Sequence, residues 1–322
     1  MIMNAERVVV VRNLVSAYAN RVQHEVIDRL IDSGLTKGQL IEFWTPSADA
    51  DETIEKLTKI IQPGDQILVT AGDGTANMGA NAFLQANNEG VRIGFLSFGN
   101  FSDTAATFTD HKAQRDAIKL LASTRSVDVR PLQVIKNGEH YRYALLYANL
   151  GWTAQAAAMY DDPNIRKDLQ YGETNLAANL FRLAKTYFKT RSTAELPDFH
   201  LNDDEKSHSN ITDILAINGP IMGRIIRTGK IYYEEETFFS SELDVSKFIP
   251  NIPFLGRSAL NVVLNSQIKL PGSEVTHLDL SFDNNPNIPM QIDGEYNFSK
   301  INKLSITKEG NNYQTVKVIF TR

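Results

Sequence analysis

Gly72-Asp73-Gly74-Thr75 stands where an apolar run of strand type, Ile67-Leu68-Val69, stops and small and apolar residues begin to recur at helical intervals (Ala76, Ala80, Phe83, Leu84). Two glycines at such a strand-to-helix turn let the backbone bend tightly and approach a ligand, and the N–H groups that open the helix attract phosphate oxygens. The same residues would also make an ordinary turn in which Asp73 caps the helix. Three further acids stand in suggestive settings. Asp103 closes Phe95-Leu96-Ser97-Phe98-Gly99-Asn100-Phe101-Ser102-Asp103, so two neighbouring strand ends each bring an aspartate to one crevice. Asp128 lies where the character of the chain changes, and Glu295 follows Asp293-Gly294. Carboxylates gathered around phosphate call for Mg²⁺, a hard cation that takes one or two carboxylates and keeps phosphate oxygens and water as its other ligands. Phosphoryl transfer then needs positioning, neutralised charge and a base for the attacking hydroxyl. Each acid also has an architectural reading: Asp103 as an N-cap, Asp128 as a strand-edge charge, and Asp293-Gly294 as a hairpin turn that carries Glu295 outward.

The elements that must position these residues fall into two groups. Val8 to Val11 reads as a buried parallel strand, and a helix from about Ala19 to Ser33 follows with Val22, Val26, Leu30 and Ile31 on one face. Ile41 to Trp44 is a second strand, and Ile54, Leu57, Ile60 and Ile61 stripe a helix that Pro63-Gly64 ends. The Gln66 to Ala71 strand, a strand over Val91 to Leu96 and a helix from Ala113 to Leu121 complete the alternation. Such alternation predicts a doubly wound, mostly parallel α/β sheet, with ligands outside the carboxyl ends of its strands. After Ser123 the segments Val127 to Val134, Tyr141 to Asn149, Ile211 to Ile217, Lys230 to Phe239, Ala259 to Lys269, Val275 to Phe282, Lys303 to Thr307 and Val316 to Phe320 read as strands. The expected division is therefore an α/β domain over 1–124 and a larger, mainly antiparallel β domain over 125–322, whose last strand could return to the first domain. One helix, Thr174 to Tyr187, interrupts the strands and carries Arg182, Lys185, Lys189 and Arg191 at and beyond its polar side, as a surface-lying or a packed amphipathic helix would.

Composition narrows the chemistry. The 322 residues carry a formal charge of -5 and no long basic stretch, which argues against a nucleic-acid partner. There is no cysteine, which excludes disulfides, thiolate metal sites and cysteine nucleophiles. The six histidines form no i, i+4 pair. Arg12 and Asn13 end the Val8 to Val11 run too early for a signal-peptide core, and no segment approaches the roughly 20 apolar residues of a membrane span. A cytoplasmic protein that meets a membrane only from outside is the expectation.

In order along the chain, Gly72-Asp73-Gly74-Thr75, then Asn77 and Asn81, Gly99 to Asp103 with Ala105 and Thr107, Asp128, Asn149 with Gly151, Asn218-Gly219 and Asp293-Gly294-Glu295 resemble the motifs of the diacylglycerol kinase catalytic-domain family, which includes bacterial lipid kinases and sphingosine kinases. The resemblance implies ATP and Mg²⁺ as cofactors, a nucleotide site in the amino-terminal domain and a β domain for a lipid substrate. By position it implies that Gly72, Gly74 and Thr75 hold phosphate, that Asp73, Asp103 and Asp128 form the Mg²⁺ network, and that Glu295, with Asp73, is catalytic, Glu295 as general base. Asn13-Leu14-Val15-Ser16-Ala17 is similar to the family's nucleotide-contacting segment. Asn13, Ser16, Asn77, Gly99 and Asn100 are accordingly expected beside the nucleotide.

The sequence departs from the pattern at Ala71, Leu14, Ala17, Met78 and Phe101, which keep the acids but alter the phosphate cradle. Ser240-Ser241 stands where some members have an Asp-Gly pair for a structural metal, so none is expected there. The function read from these residues is an ATP- and Mg²⁺-dependent lipid kinase acting on a hydroxyl such as that of diacylglycerol. The alternatives are an NAD kinase-like enzyme and a catalytically degenerate nucleotide-binding protein. An exposed strand edge in the second half would let two copies pair as a homodimer.

Overall fold

The computed structural model describes residues 7–16, 18–46, 49–99, 102–158, 196–202, 207–222, 226–228, 230–243, 270–310 and 314–321. The chain divides into two units, Met1–Arg130 with Gln314–Arg322, and Pro131–Tyr313.

In the first unit β1 (Val8–Arg12), β2 (Leu40–Trp44), β3 (Gln66–Ala71) and β4 (Arg92–Ser97) run parallel in the order β2-β1-β3-β4. The chain's last strand, β20 (Val316–Ile319), adds parallel to β4, and β5 (Ser126–Val129) closes the sheet antiparallel to β20. All of Val8 to Val11 is buried, as a central strand covered on both faces requires. One face packs Val8, Val10, Leu68 and Leu96 against Val22, Val26, Leu30 and Leu120. The connecting helices are α1 (Ala19–Val22), a π-helical stretch (Gln23–Asp28), α2 (Arg29–Asp32), α3 (Ala50–Ile60), α4 (Asp73–Ala86), α5 (Asp103–Phe108) and α6 (Ala117–Leu121).

Two of these helices differ from expectation. The helix over Ala19 to Ser33 forms, but its wide π turn re-aims the apolar stripe: Ile27 is buried and Ile31 is exposed. The helix expected from Ala113 begins only at Ala117. Asp116 caps it by accepting the Lys119 N–H, while Asp110 takes the N–H groups of Lys112 and Ala113 into a turn.

The second unit stacks two antiparallel sheets. The first has the order β10 (Ser207–His208), β9 (Phe199–Leu201), β16 (His277–Phe282), β19 (Lys303–Thr307), β6 (Leu132–Lys136), β7 (Glu139–Ala144). The second has the order β15 (Ser273–Val275), β14 (Phe238–Leu243), β11 (Asp213–Ile217), β8 (Tyr147–Gly151), β17 (Asn287–Ile292), β18 (Glu295–Lys300). A short ribbon pairs β12 (Ile221–Met222) with β13 (Ile226–Arg227), and α7 (Trp152–Ala158) follows β8. Strands alternate inward and outward: Leu278, Leu280 and Phe282 of β16 are buried and meet Leu150, Ile214 and Met290 of the other sheet in one core. The fold class is that read from the sequence, an α/β domain with a mostly parallel sheet and an antiparallel β domain.

Several expected strands come out differently. Pro131 lacks the N–H a ladder needs, and Val127 to Val134 is split into β5 of one unit and β6 of the other. Tyr141 to Asn149 folds back at Leu145-Leu146 into β7 and β8. Lys230 to Phe239 enters a strand only at Phe238. The buried Lys308 ammonium donates to the carbonyls of Tyr232 (2.6 Å), Glu235 (2.9 Å) and Thr237 (3.1 Å), which replaces ladder bonds in that loop. Helix α7 carries no charge and was not foreseen. The segments Thr174 to Tyr187 and Ala259 to Lys269 lie outside the described residues.

Candidate active site

The Gly72 to Thr75 turn sits at the carboxyl end of β3, with Gly72 in extended backbone at the N-cap of α4 and Asp73 as its first helical residue. Asp73 therefore does not cap its own helix. Its carboxylate crosses to the end of β4 and caps α5 instead, accepting the N–H of Asp103 (3.0 Å), the N–H of Thr104 (2.8 Å) and the hydroxyl of Thr104 (2.8 Å). Ser102, the N-cap residue of α5, takes a left-handed φ of 51° and gives the helix no side-chain cap. It instead accepts the Gly99 N–H on Oγ at 3.2 Å. A carboxylate from another segment thus satisfies donors that the helix leaves without internal partners.

Gly72 and Gly99 pack backbone to backbone. A Cβ on Gly99 would lie 2.2 Å from the Gly72 Cα, so the two motif turns touch only because neither bears a side chain. Ala71, Gly72, Asp73, Ser102 and Thr104 line a narrow gap beside them that has no room to enclose a nucleotide. Phosphate would meet the open side of the turn, where Gly72 and Gly74 are half-buried and the first N–H groups of α4 lack carbonyl partners within the helix.

The loop after β1 joins the same strand ends. Asn13 donates from Nδ2 to Thr75 Oγ1 at 3.0 Å and accepts the Val15 N–H on Oδ1 at 3.0 Å, while the Ser16 hydroxyl donates to the Phe98 carbonyl. Leu14 and Val15 at the loop's tip are exposed. Asn13, Ser16, Gly72 to Thr75 and Gly99 are thereby gathered at neighbouring strand ends; Asn100 lies outside the described residues.

Three expectations change. Asn77 is fully buried in α4, where its Oδ1 and carbonyl accept from Asn81, so its side chain is engaged within the helix. Asp103 is also fully buried. Asp128 is exposed on β5, opposite Lys317 and separated from β4 by β20. The three-carboxylate network does not form, and no group of three acidic or histidine side chains among the described residues is placed to hold a metal. A Mg²⁺ ion carried by nucleotide phosphates still fits, since it needs only one or two carboxylates and keeps phosphate oxygens and water as its other ligands, and Asp73 stands beside the open turn.

In the second unit the late motif divides its work. Asp293 (φ 44°) and Gly294 (φ 84°) form the two-residue turn between β17 and β18, a conformation that favours Asp-Gly. The Asp293 carboxylate is fully buried and accepts the N–H groups of Leu145, Leu146 (2.8 Å) and Tyr147 (2.9 Å). Asn218-Gly219 grips the same turn through Asn218 Nδ2 on the Leu145 carbonyl (2.7 Å) and the Gly219 N–H on that of Leu146 (2.9 Å). Glu295 opens β18 partly exposed, ion-paired with the buried guanidinium of Arg142.

Sequence reasoning missed Thr104, Ser102 and Arg142. The run Ser102-Asp103-Thr104 before a helix was a visible capping signal; Arg142 gave none, because its partner lies 153 residues away. It also missed Asp213, fully buried at the start of β11, whose carboxyl burial pushes up to about 6 against the hydrogen bonds of Thr153 and Thr212.

Residues 7–136 match the model of the diacylglycerol kinase catalytic domain. That family is the one this segment is similar to. The diacylglycerol kinase catalytic domain makes the protein a phosphotransferase with an alcohol group as acceptor, in a kinase family that uses ATP. Solved structures from Bacillus anthracis str. Sterne share the whole fold. One, a candidate diacylglycerol kinase, is 13% identical over 99% of this chain and 98% of its own, with a TM-score of 0.64. Another, titled a diacylglycerol kinase, is 14% identical over 99% and 98%, with a TM-score of 0.61. No curated protein matches the chain.

Proposed function

We propose that this protein transfers the γ-phosphoryl group of ATP to a lipid hydroxyl such as that of diacylglycerol. The observation that carries this reading is the diacylglycerol kinase catalytic domain over residues 7–136, with Asp73 tying two strand-end turns together beside an open helix N-terminus. In the proposed reaction the Gly72 to Thr75 turn holds phosphate oxygens, Asn13 fixes Thr75, and Asp73 keeps the turn and α5 in register while offering an oxygen to Mg²⁺. Bound Mg²⁺ would neutralise phosphate charge during transfer. Glu295 takes the proton of the acceptor hydroxyl. Among the described residues no helix is long and apolar enough to cross a membrane, so lipid would be met by peripheral contact from the cytoplasm.

The deciding experiment is transfer of labelled phosphate from ATP to a total lipid extract, with and without Mg²⁺, beside Glu295→Gln. Mg²⁺-dependent label in a lipid fraction that the variant loses supports the reading, and the mobility of that fraction names the acceptor. Label in NAD would replace it with an NAD kinase-like enzyme. A second reading, nucleotide binding without transfer, is favoured by one observation: the Asp73 carboxylate already accepts three hydrogen bonds from α5. ATP binding by calorimetry with no labelled product would establish it.

A further inference from the structure

β7 alternates exposed and buried positions, and the interior side of Tyr141-Arg142-Tyr143-Ala144 falls to Arg142 and Ala144. An arginine at an inward strand position is costly to bury unless it is paired and hydrogen-bonded. Arg142 leaves only 2% of its side chain exposed, and its Nη1 meets Glu295 Oε2 of β18. Glu295 keeps 19% of its side chain open, so the pair has a buried cationic end and an accessible acidic end.

The surroundings reinforce that asymmetry. The Arg142 guanidinium lies 5.3 Å from the Tyr141 ring centroid, and the Lys136 ammonium of β6 lies 4.0 Å from the same ring. Asn297 of β18 donates to the Tyr141 hydroxyl at 2.6 Å. Among the described residues, the charged and titratable groups near this pair include Arg142 and His140 on β7, Lys136 on β6, Tyr141, Tyr296 and the buried Asp293 across the turn; the sequence of α7 adds none. Burial, and then the Arg142 charge, hold the His140 imidazole below its ordinary value, and burial raises the Tyr296 hydroxyl.

We propose that Arg142 is a positioning residue for phosphoryl transfer: it fixes the Glu295 carboxylate in one orientation and in its ionised form, ready to accept the proton of the acceptor hydroxyl. This rests on the reading of Glu295 as the general base. An opposite charge at hydrogen-bonding distance favours the charged form of a carboxylate, and a carboxylate that loses it binds its proton at higher pH. Arginine suits the task because its guanidinium stays charged when buried and its planar donors set the direction of the acceptor.

The test measures Glu295 titration directly and through turnover. In Arg142→Met, the titration midpoint of the Glu295 carboxylate, followed by carbon NMR, should rise by about one pH unit or more. The acidic limb of the kcat profile, with ATP and total lipid extract, should move up by the same amount while KM for ATP stays constant. Arg142→Lys, which keeps a charge without the planar fork, should shift less, and it replaces Arg142→Met as the deciding variant if the latter does not fold. A midpoint and acidic limb unchanged in the deciding variant overturn the proposal while leaving Glu295 as the base. Near wild-type turnover of Glu295→Gln removes the reading of Glu295 and the role of Arg142 with it.

Discussion

The Asp73 carboxylate accepts the Thr104 N–H at 2.8 Å, so the acid of one strand-end turn caps the helix that follows the next strand. The bond links β3 to α5 and fixes the spacing of the two glycine-bearing turns. Asp73→Asn puts an N–H₂ group where one oxygen accepted, against the Asp103 or the Thr104 N–H. Hydrogen bonds to charged groups contribute about 1.5–3 kcal/mol, and a loss of that size is expected in denaturant unfolding. Thr104→Val, which keeps its N–H and loses only the hydroxyl, should cost about 1 kcal/mol. Unchanged stability in both variants would refute the capping role.

Gly99→Ala meets the Gly72 backbone rather than a movable side chain, since its Cβ would fall 2.2 Å from the Gly72 Cα. Overpacking of this kind costs about 1–3 kcal/mol or more. The two turns must separate, and ATP affinity measured by calorimetry should fall together with the melting temperature. Retention of both would show that the contact is dispensable.

Asp213 couples stability to pH in the opposite sense from an ion-paired acid. Its native carboxyl titrates near 6 against an ordinary value of 3.8, so between those values the folded chain binds the proton that the unfolded chain has released. Stability from this group is full below about pH 4 and is lost as pH rises through 6, a change on the order of 3 kcal/mol. The hydrogen bonds agree with a protonated group. Thr212 Oγ1 lies 2.9 Å from Asp213 Oδ2 and 3.0 Å from the Leu243 carbonyl, and its single proton serves only one of them. Asp213→Asn should flatten the dependence of unfolding free energy on pH between 4 and 7; an unaltered slope would assign the effect elsewhere.

Lys308 organises the loop between Lys230 and Phe238. Lys308→Met leaves three carbonyls without their donor, and a loss of about 3 kcal/mol or more is expected, because each buried acceptor left unsatisfied costs about 1–3 kcal/mol. Hydrogen exchange should show the Tyr232 N–H, now bonded to the Asn218 carbonyl, losing protection ahead of the β11 core. Uniform exchange across the unit would indicate global destabilisation instead.

The sequence by itself determined the alternation of strands and helices in the first unit, the antiparallel strands of the second and the order of the motifs. Those features are local: side-chain periods of 2 and 3.6 residues, and glycine or proline where the chain must turn, are written in neighbouring residues. The residues gathered at the ends of β3 and β4 were legible for the same reason, since both follow strands of one parallel sheet. Only the tertiary structure decided what the acids do there. Asp73 caps a helix 30 residues away, Asp293 binds a turn 148 residues earlier, and Asp128 faces solvent. Glu295 combines a partly exposed carboxylate with a buried cationic partner, 153 residues back in the chain. Such pairings depend on how sheets stack and which hairpins abut. A residue's type announces that it needs a partner, but the closure of the chain chooses which one it finds.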